Sequence, residues 1–133
     1  MKNLHTSGKR KTAIARATLR QGSGIVRINK IPVNLIGQKT SMLKLLEPLI
    51  LAGDVAGKVD IDVNVSGGGI TGQAEASRLA IAKALVNFAK GDKLKDVFLN
   101  YDRNLLVADV RRKEPAKPNR HGQARAKVQK SYR

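Results

Sequence analysis

The sequence predicts an α+β protein: a single domain with a roughly four-stranded sheet packed by helices, followed by an extended basic C-terminal tail. Three observations point there. Residues 12–20 and 58–66 alternate apolar and polar side chains at the period of half-buried strands. Residues 72–90 repeat apolar side chains at helical spacing, and Leu, Ile and Phe are absent beyond Val110. With 133 residues and a 41% apolar fraction, the chain has material for one modest core.

From Thr12 to Arg20, Ala13, Ala15, Ala17 and Leu19 share one face and Thr12, Ile14, Arg16, Thr18 and Arg20 the other. The outer row reaches back to Arg10, giving a cationic stripe spaced about 7 Å apart. Gln21-Gly22-Ser23-Gly24 reads as a turn and Ile25-Val26-Arg27-Ile28 as the returning strand of a hairpin, with Pro32 limiting further pairing. Leu35 to Leu51 carries Leu and Ile at helical spacing, broken by Gly37 and Pro48, and predicts two short helices or one interrupted helix. Val59, Ile61, Val63 and Val65 point inward from the next strand, with Asp60, Asp62, Asn64 and Ser66 outward. After Gly67-Gly68-Gly69 a helix is expected from about Gly72 to Lys90, with Ala74, Ser77, Ile81, Leu85 and Phe88 on its buried stripe and Gly91 placed to end it. A short helix over Leu94 to Leu99 follows, then Leu105-Leu106-Val107 as a last strand or a packed segment. The domain reading is therefore 1–110 globular, including a basic N-terminal arm at 1–11, and 111–133 an extended basic tail spanning up to about 75 Å when drawn out.

Charge narrows the function class. The chain holds 26 Lys and Arg against 10 Asp and Glu, a formal net charge of +16. Residues 1–20 contain six basic and no acidic residues, and residues 111–133 nine basic residues against Glu114 alone. Residues 21–110 are nearly balanced, eleven basic against nine acidic. A near-neutral body with cationic ends predicts a polyanionic partner that organises those ends, and nucleic acid is the default. No apolar run approaches the roughly 18 residues of a membrane span, the N-terminus lacks a leader pattern, and there is no Cys. A soluble cytoplasmic protein is expected, with no membrane partner.

Motifs that suggest catalysis are outweighed. The run Gly67-Gly68-Gly69-Ile70-Thr71-Gly72 lacks both the Lys-Ser/Thr ending of a P-loop and the spacing of a dinucleotide site, which leaves a plain turn or a backbone contact to an RNA phosphate. Asp60 and Asp62 share a strand face but have no nucleophile nearby, and they are expected to pair with neighbouring Lys or Arg or to face water. His5 and His121 lie one in each end and predict no metal site. No cofactor, small-molecule substrate or enzymatic activity is expected. With Phe88, Phe98 and Tyr101 assigned to the core, only Tyr132 is left for base stacking, so recognition falls to phosphate contacts and Arg geometry. The expected RNA-binding residues are Lys9, Arg10, Lys11, Arg16 and Arg20 near the first strand, and Arg111, Arg112, Lys113, Lys117, Arg120, Arg125 and Lys127 in the tail.

Four segments carry a resemblance: Gly8-Lys9-Arg10-Lys11-Thr12-Ala13-Ile14-Ala15-Arg16-Ala17, Gly68-Gly69-Ile70-Thr71-Gly72-Gln73-Ala74-Glu75-Ala76, Asp109-Val110-Arg111-Arg112-Lys113-Glu114, and Gln129-Lys130-Ser131-Tyr132-Arg133. Together, in order and over essentially the whole chain, they resemble the ribosomal protein S nine family of the small subunit, with an ending like that of its archaeal and eukaryotic members. The resemblance implies a non-enzymatic protein bound to small-subunit rRNA in the head, within the 3′ major domain, beside neighbouring head proteins. It also implies that Lys130, Ser131, Tyr132 and Arg133 reach the anticodon stem-loop of the P-site tRNA. The implied fold is a four-stranded sheet with helices on one side and a left-handed β-α-β crossover, as in the second domain of small-subunit protein five and in some small-molecule kinases. Ala126, Val128 and His121 depart from the family pattern in the middle of the tail. Two alternatives are a kinase-related nucleotide-binding protein and a non-ribosomal nucleic-acid chaperone.

Overall fold

Two alternating segments organise the sheet. In the computed structural model, which describes residues 3–128 and Tyr132, strand β2 is Ala13–Gln21 and strand β5 is Val59–Ser66. They pair antiparallel, Arg16 opposite Asn64 and Thr18 opposite Asp62. All eight inward residues, from Ala13 to Leu19 and from Val59 to Val65, are buried. Around this pair the sheet runs β1-β2-β5-β3-β4, with β1 at Leu4–Arg10, β3 at Val26–Ile28 and β4 at Ile31–Pro32. The α+β expectation stands, and the sheet has five strands rather than about four.

The basic segment expected as an N-terminal arm is instead strand β1, an edge strand antiparallel to β2 along its whole length. The expected hairpin between β2 and β3 does not form either. Strand β3 pairs parallel with β5, which lies between it and β2. The turn is drawn past the start of β5, where the Asp60 carboxylate accepts the backbone N–H groups of Ser23 and Ile25, both at 2.9 Å. Gly22 leaves room for that carboxylate, since a Cβ there would overlap it. After β3 a hairpin does form with β4, closed by Asn29 and Lys30 at φ 48° and 71°, the left-handed pair that a tight two-residue turn requires.

Three helices cover one face. Helix α1 is Lys39–Ala52, helix α2 Ile70–Ala89 and helix α3 Asp92–Tyr101. Helix α2 lies across β1, β2 and β5 and supports α1 and α3. Its small residues Ala76, Ala80 and Ala84 are fully buried, as are Ala13 and Ala15 of β2, and this small-on-small contact brings backbones close. Gly8 of β1 is the tightest point: a Cβ would overlap the Ala76 carbonyl oxygen. Larger side chains, Leu19, Ile61, Ile81, Leu85, Phe98 and Leu105, fill the rest of the core.

Several local expectations need correction. Pro48 does not break α1: it sits buried within a continuous helix, where tertiary packing outweighs one lost backbone hydrogen bond. Helix α2 ends on Lys90 in the left-handed conformation, while Gly91 caps the start of α3. Of the two forms expected for residues 105–107 the packed segment is the one observed, since Arg103–Leu105 is a single 3-10 turn that buries Leu105. Tyr101 is 56% exposed, not core.

Candidate nucleic-acid interface

The helix-free face of the sheet presents the residues that alternate with the core. Across it, Lys9 stands opposite Ile14, Ser7 opposite Arg16, and His5 opposite Thr18, with Asn64 and Asp62 continuing the rows. Arg16, Lys9 and Lys11 are exposed and meet no carboxylate among the described residues. Arg20 and Arg27 converge from opposite sides on Asp62, Arg27 at 3.3 Å. Asp60 is held below its ordinary value by the backbone N–H groups of Ile25 and Ser23. Both strand carboxylates are thus engaged within the fold, Asp62 by arginine as expected and Asp60 by backbone amides instead of a cation, and the surplus charge on this face is positive.

Arg10 has a different fate. It shares the expected set with Lys9 and Arg16, but it points to the helix-covered side and is 17% exposed. Its Nε donates to Glu75 at 2.6 Å and its Nη1 donates to Asp109. Around it runs a groove of about 420 Å³ in which cations and carboxylates alternate. Lys44 donates to Glu75 at 3.1 Å, and Arg78 bridges Glu47 of α1 and Asp102 after α3, the latter at 3.1 Å. Burial works to raise the Glu75 carboxyl, but Lys44 and Arg10 outweigh it and hold the group below the ordinary range. Sequence reasoning missed this network. Its trace was the pairs Lys44/Glu47 and Glu75/Arg78, each three residues apart on a helix and so on one face.

Beyond Leu105 the described chain contains no helix or strand. Arg112, Lys113, Lys117, Arg125 and Lys127 are exposed. Arg111 closes on Asp109, and Arg112 donates to the carbonyls of Asp109 and Arg111, each at 2.8 Å. The tail is not fully drawn out: Glu114 accepts Lys117 at 2.9 Å and Arg125 at 2.7 Å, across turns at Asn119, His121 and Gly122. These contacts hold the Glu114 carboxyl below its usual value. Arg120 turns inward to the Ala124 carbonyl at 3.3 Å. Tyr132 is 88% exposed, while Lys130, Ser131 and Arg133, with Met1, Lys2 and Gln129, lie outside the described residues.

The glycine run is the β5–α2 turn. Gly67 and Gly68 take φ of 77° and 66° and press on Thr12 and Ala13, so their lack of a side chain serves the packing of the β1–β2 tip. His5 Nδ1 lies 3.1 Å from Thr18 Oγ1. Among the described residues no three His, Asp or Glu side chains are grouped to hold a metal, and no helix is long and apolar enough to cross a membrane.

Comparison with known proteins adds an independent line. The family described as "Ribosomal protein S9/S16" matches residues 8–133. "Small ribosomal subunit protein uS9" of the archaeon Methanococcus vannielii is 53% identical over 134 aligned positions that span both chains completely. Its counterpart in Methanococcus maripaludis strain C7 is 54% identical over the same span.

Proposed function

The chain belongs to the ribosomal protein S9/S16 family, and from that premise we propose how this structural constituent of the small ribosomal subunit uses its charge. The body docks on folded rRNA of the head, in the 3′ major domain, through the β1–β2 tip and the helix-free sheet face, with Lys9, Lys11, Arg16 and Arg20 at phosphates. Residues 111–133 leave this body as an arm that follows rRNA through Arg111, Arg112, Lys113, Lys117, Arg120, Arg125 and Lys127. The arm ends with Lys130, Ser131, Tyr132 and Arg133 at the anticodon stem-loop of the P-site tRNA. Neighbouring head proteins pack beside it in the cytoplasmic ribosome.

The observation that carries this reading is the uneven use of carboxylates. Those of the groove and of β5 are tied to cations or backbone amides inside the body, whereas Lys9, Lys11, Arg16, Lys113 and Lys127 meet none among the described residues. Exposed cations without counter-charges gain most from phosphate, because each one placed there releases a condensed counterion. Arg adds a planar fork suited to phosphate oxygens.

Removing Lys130 to Arg133 from the protein in reconstituted small subunits tests the tip. Weaker P-site tRNA retention with normal assembly is the expected result. Unchanged retention, or a failure to assemble, contradicts the assignment.

A further inference from the structure

The tail leaves the body through a stretch with little backbone support. The last backbone bond before it runs from the Val107 N–H to the Arg103 carbonyl at 3.1 Å, and the next is made by Lys117. Among the described residues, 108–116 make no backbone–backbone hydrogen bond. What attaches this stretch is the side chain of Asp109. On the body side it accepts Arg10, 99 residues earlier in the chain. On the tail side it accepts the Arg111 backbone N–H at 2.9 Å and its guanidinium at 2.7 to 3.2 Å. Arg10 is itself fixed from behind, because Glu75 of α2 takes its Nε and is held in turn by Lys44 of α1.

We propose that Arg10, Glu75 and Asp109 are positioning residues that fix the root of the tail on the body, so that its direction of exit is built into the free protein. Only arginine suits the centre of this device. Its planar fork donates to two carboxylates at once with little further loss of freedom, which an ammonium on a flexible stem does not match. The consequence rests on the proposed function: an arm anchored with a set direction samples less space before it meets RNA, which lowers the ordering cost of binding. Arg10 thereby acts on RNA binding through the tail and not by touching phosphate.

The chain has no Cys, so Asn100→Cys and Ala116→Cys, both at exposed positions, place a unique pair of spin labels on α3 and on the tail of the full-length protein. Electron–electron double resonance then reads the spread of distances between them. A narrow distribution is expected, becoming about twofold broader in Asp109→Asn, as for a chain released at its root. Arg10→Lys keeps the charge but loses the double contact, and is expected to broaden it as well. Asp109→Glu keeps the carboxylate and should stay near the parent width. Equal widths in the parent, Asp109→Asn and Arg10→Lys overturn the proposal, as does broadening that appears only when the far-UV circular dichroism of the body is lost. Because the measurement needs no RNA, it stands apart from the tRNA contact. A broadened Asp109→Asn together with unchanged tRNA retention on removal of Lys130 to Arg133 would support the anchor while contradicting the role proposed for the tip.

Discussion

The two ends of this chain are alike in charge and unlike in structure. Residues 4–20 form two strands of the sheet, whereas residues 106–128 form no helix or strand. Charge density therefore does not decide which end folds. What separates them is the other half of the pattern. Leu4, Thr6 and Gly8 alternate with polar residues along β1, and Ala13, Ala15, Ala17 and Leu19 along β2, so one side of each strand can be covered by α2. The tail intersperses its cations with Pro, Gly and Ala in no fixed period and has no large aliphatic side chain until Val128. It cannot bury enough apolar surface to offset the entropy of ordering its backbone.

The contrast is broken most severely by ending the chain at Val110. Affinity for small-subunit rRNA is expected to fall on the order of a thousandfold or more at low salt, since most phosphate contacts leave with the tail. The thermal midpoint of the body should move little, because among the described residues no core residue lies beyond Leu106. Titration and calorimetry on one preparation read both. The opposite split is expected of Gly8→Ala, whose new methyl group must push β1 from α2: a loss of about 1–3 kcal/mol, seen as a lower urea midpoint, with the salt slope of RNA binding retained.

Acid should separate the regions more gently. Asp60 and Glu75 are ionised and hydrogen-bonded in the fold with values below the ordinary ones. The unfolded chain binds protons first as pH falls, so their contribution is fully present above about pH 5 and is lost as pH drops through the lowered values. Asp60→Asn should flatten that acid limb in urea titrations at several pH values. The smallest effect is expected of Arg16→Gln, which should lower the log–log salt slope of RNA binding by about 0.7 to 0.9 and leave stability nearly unchanged. Arg10→Gln should do the reverse, because its partners are inside the protein.

Much of this was legible in residue patterns, for identifiable reasons. Strands β2 and β5 and helix α2 carry their own periodicity and bury the residues that it names, except that Phe88 at the end of the α2 stripe is only partly buried. Strand β1 was hidden because His, Ser, Gly and Lys favour no strand, and it becomes one through its neighbours β2 and α2. The place of β3 was hidden too, since a short apolar run after a glycine turn does not reveal that Asp60 draws the chain past β5. At the interface, alternation correctly placed Arg16 outside. It failed for Arg10, whose position at the end of the same stripe conceals two carboxylates brought from α2 and from residue 109.

Hydrogen exchange on the full chain, with and without small-subunit rRNA, tests most directly whether pattern and not charge sets these two fates. In the free protein, amides bonded within β1 and β2 should exchange slowly, close to the rate set by global unfolding, while those of residues 112–114 and 116, beyond the Arg111 amide held by Asp109, exchange freely. With rRNA, the tail should gain protection and the strands should change little. Slow exchange of the tail in the free protein, or free exchange along β1, would contradict the account.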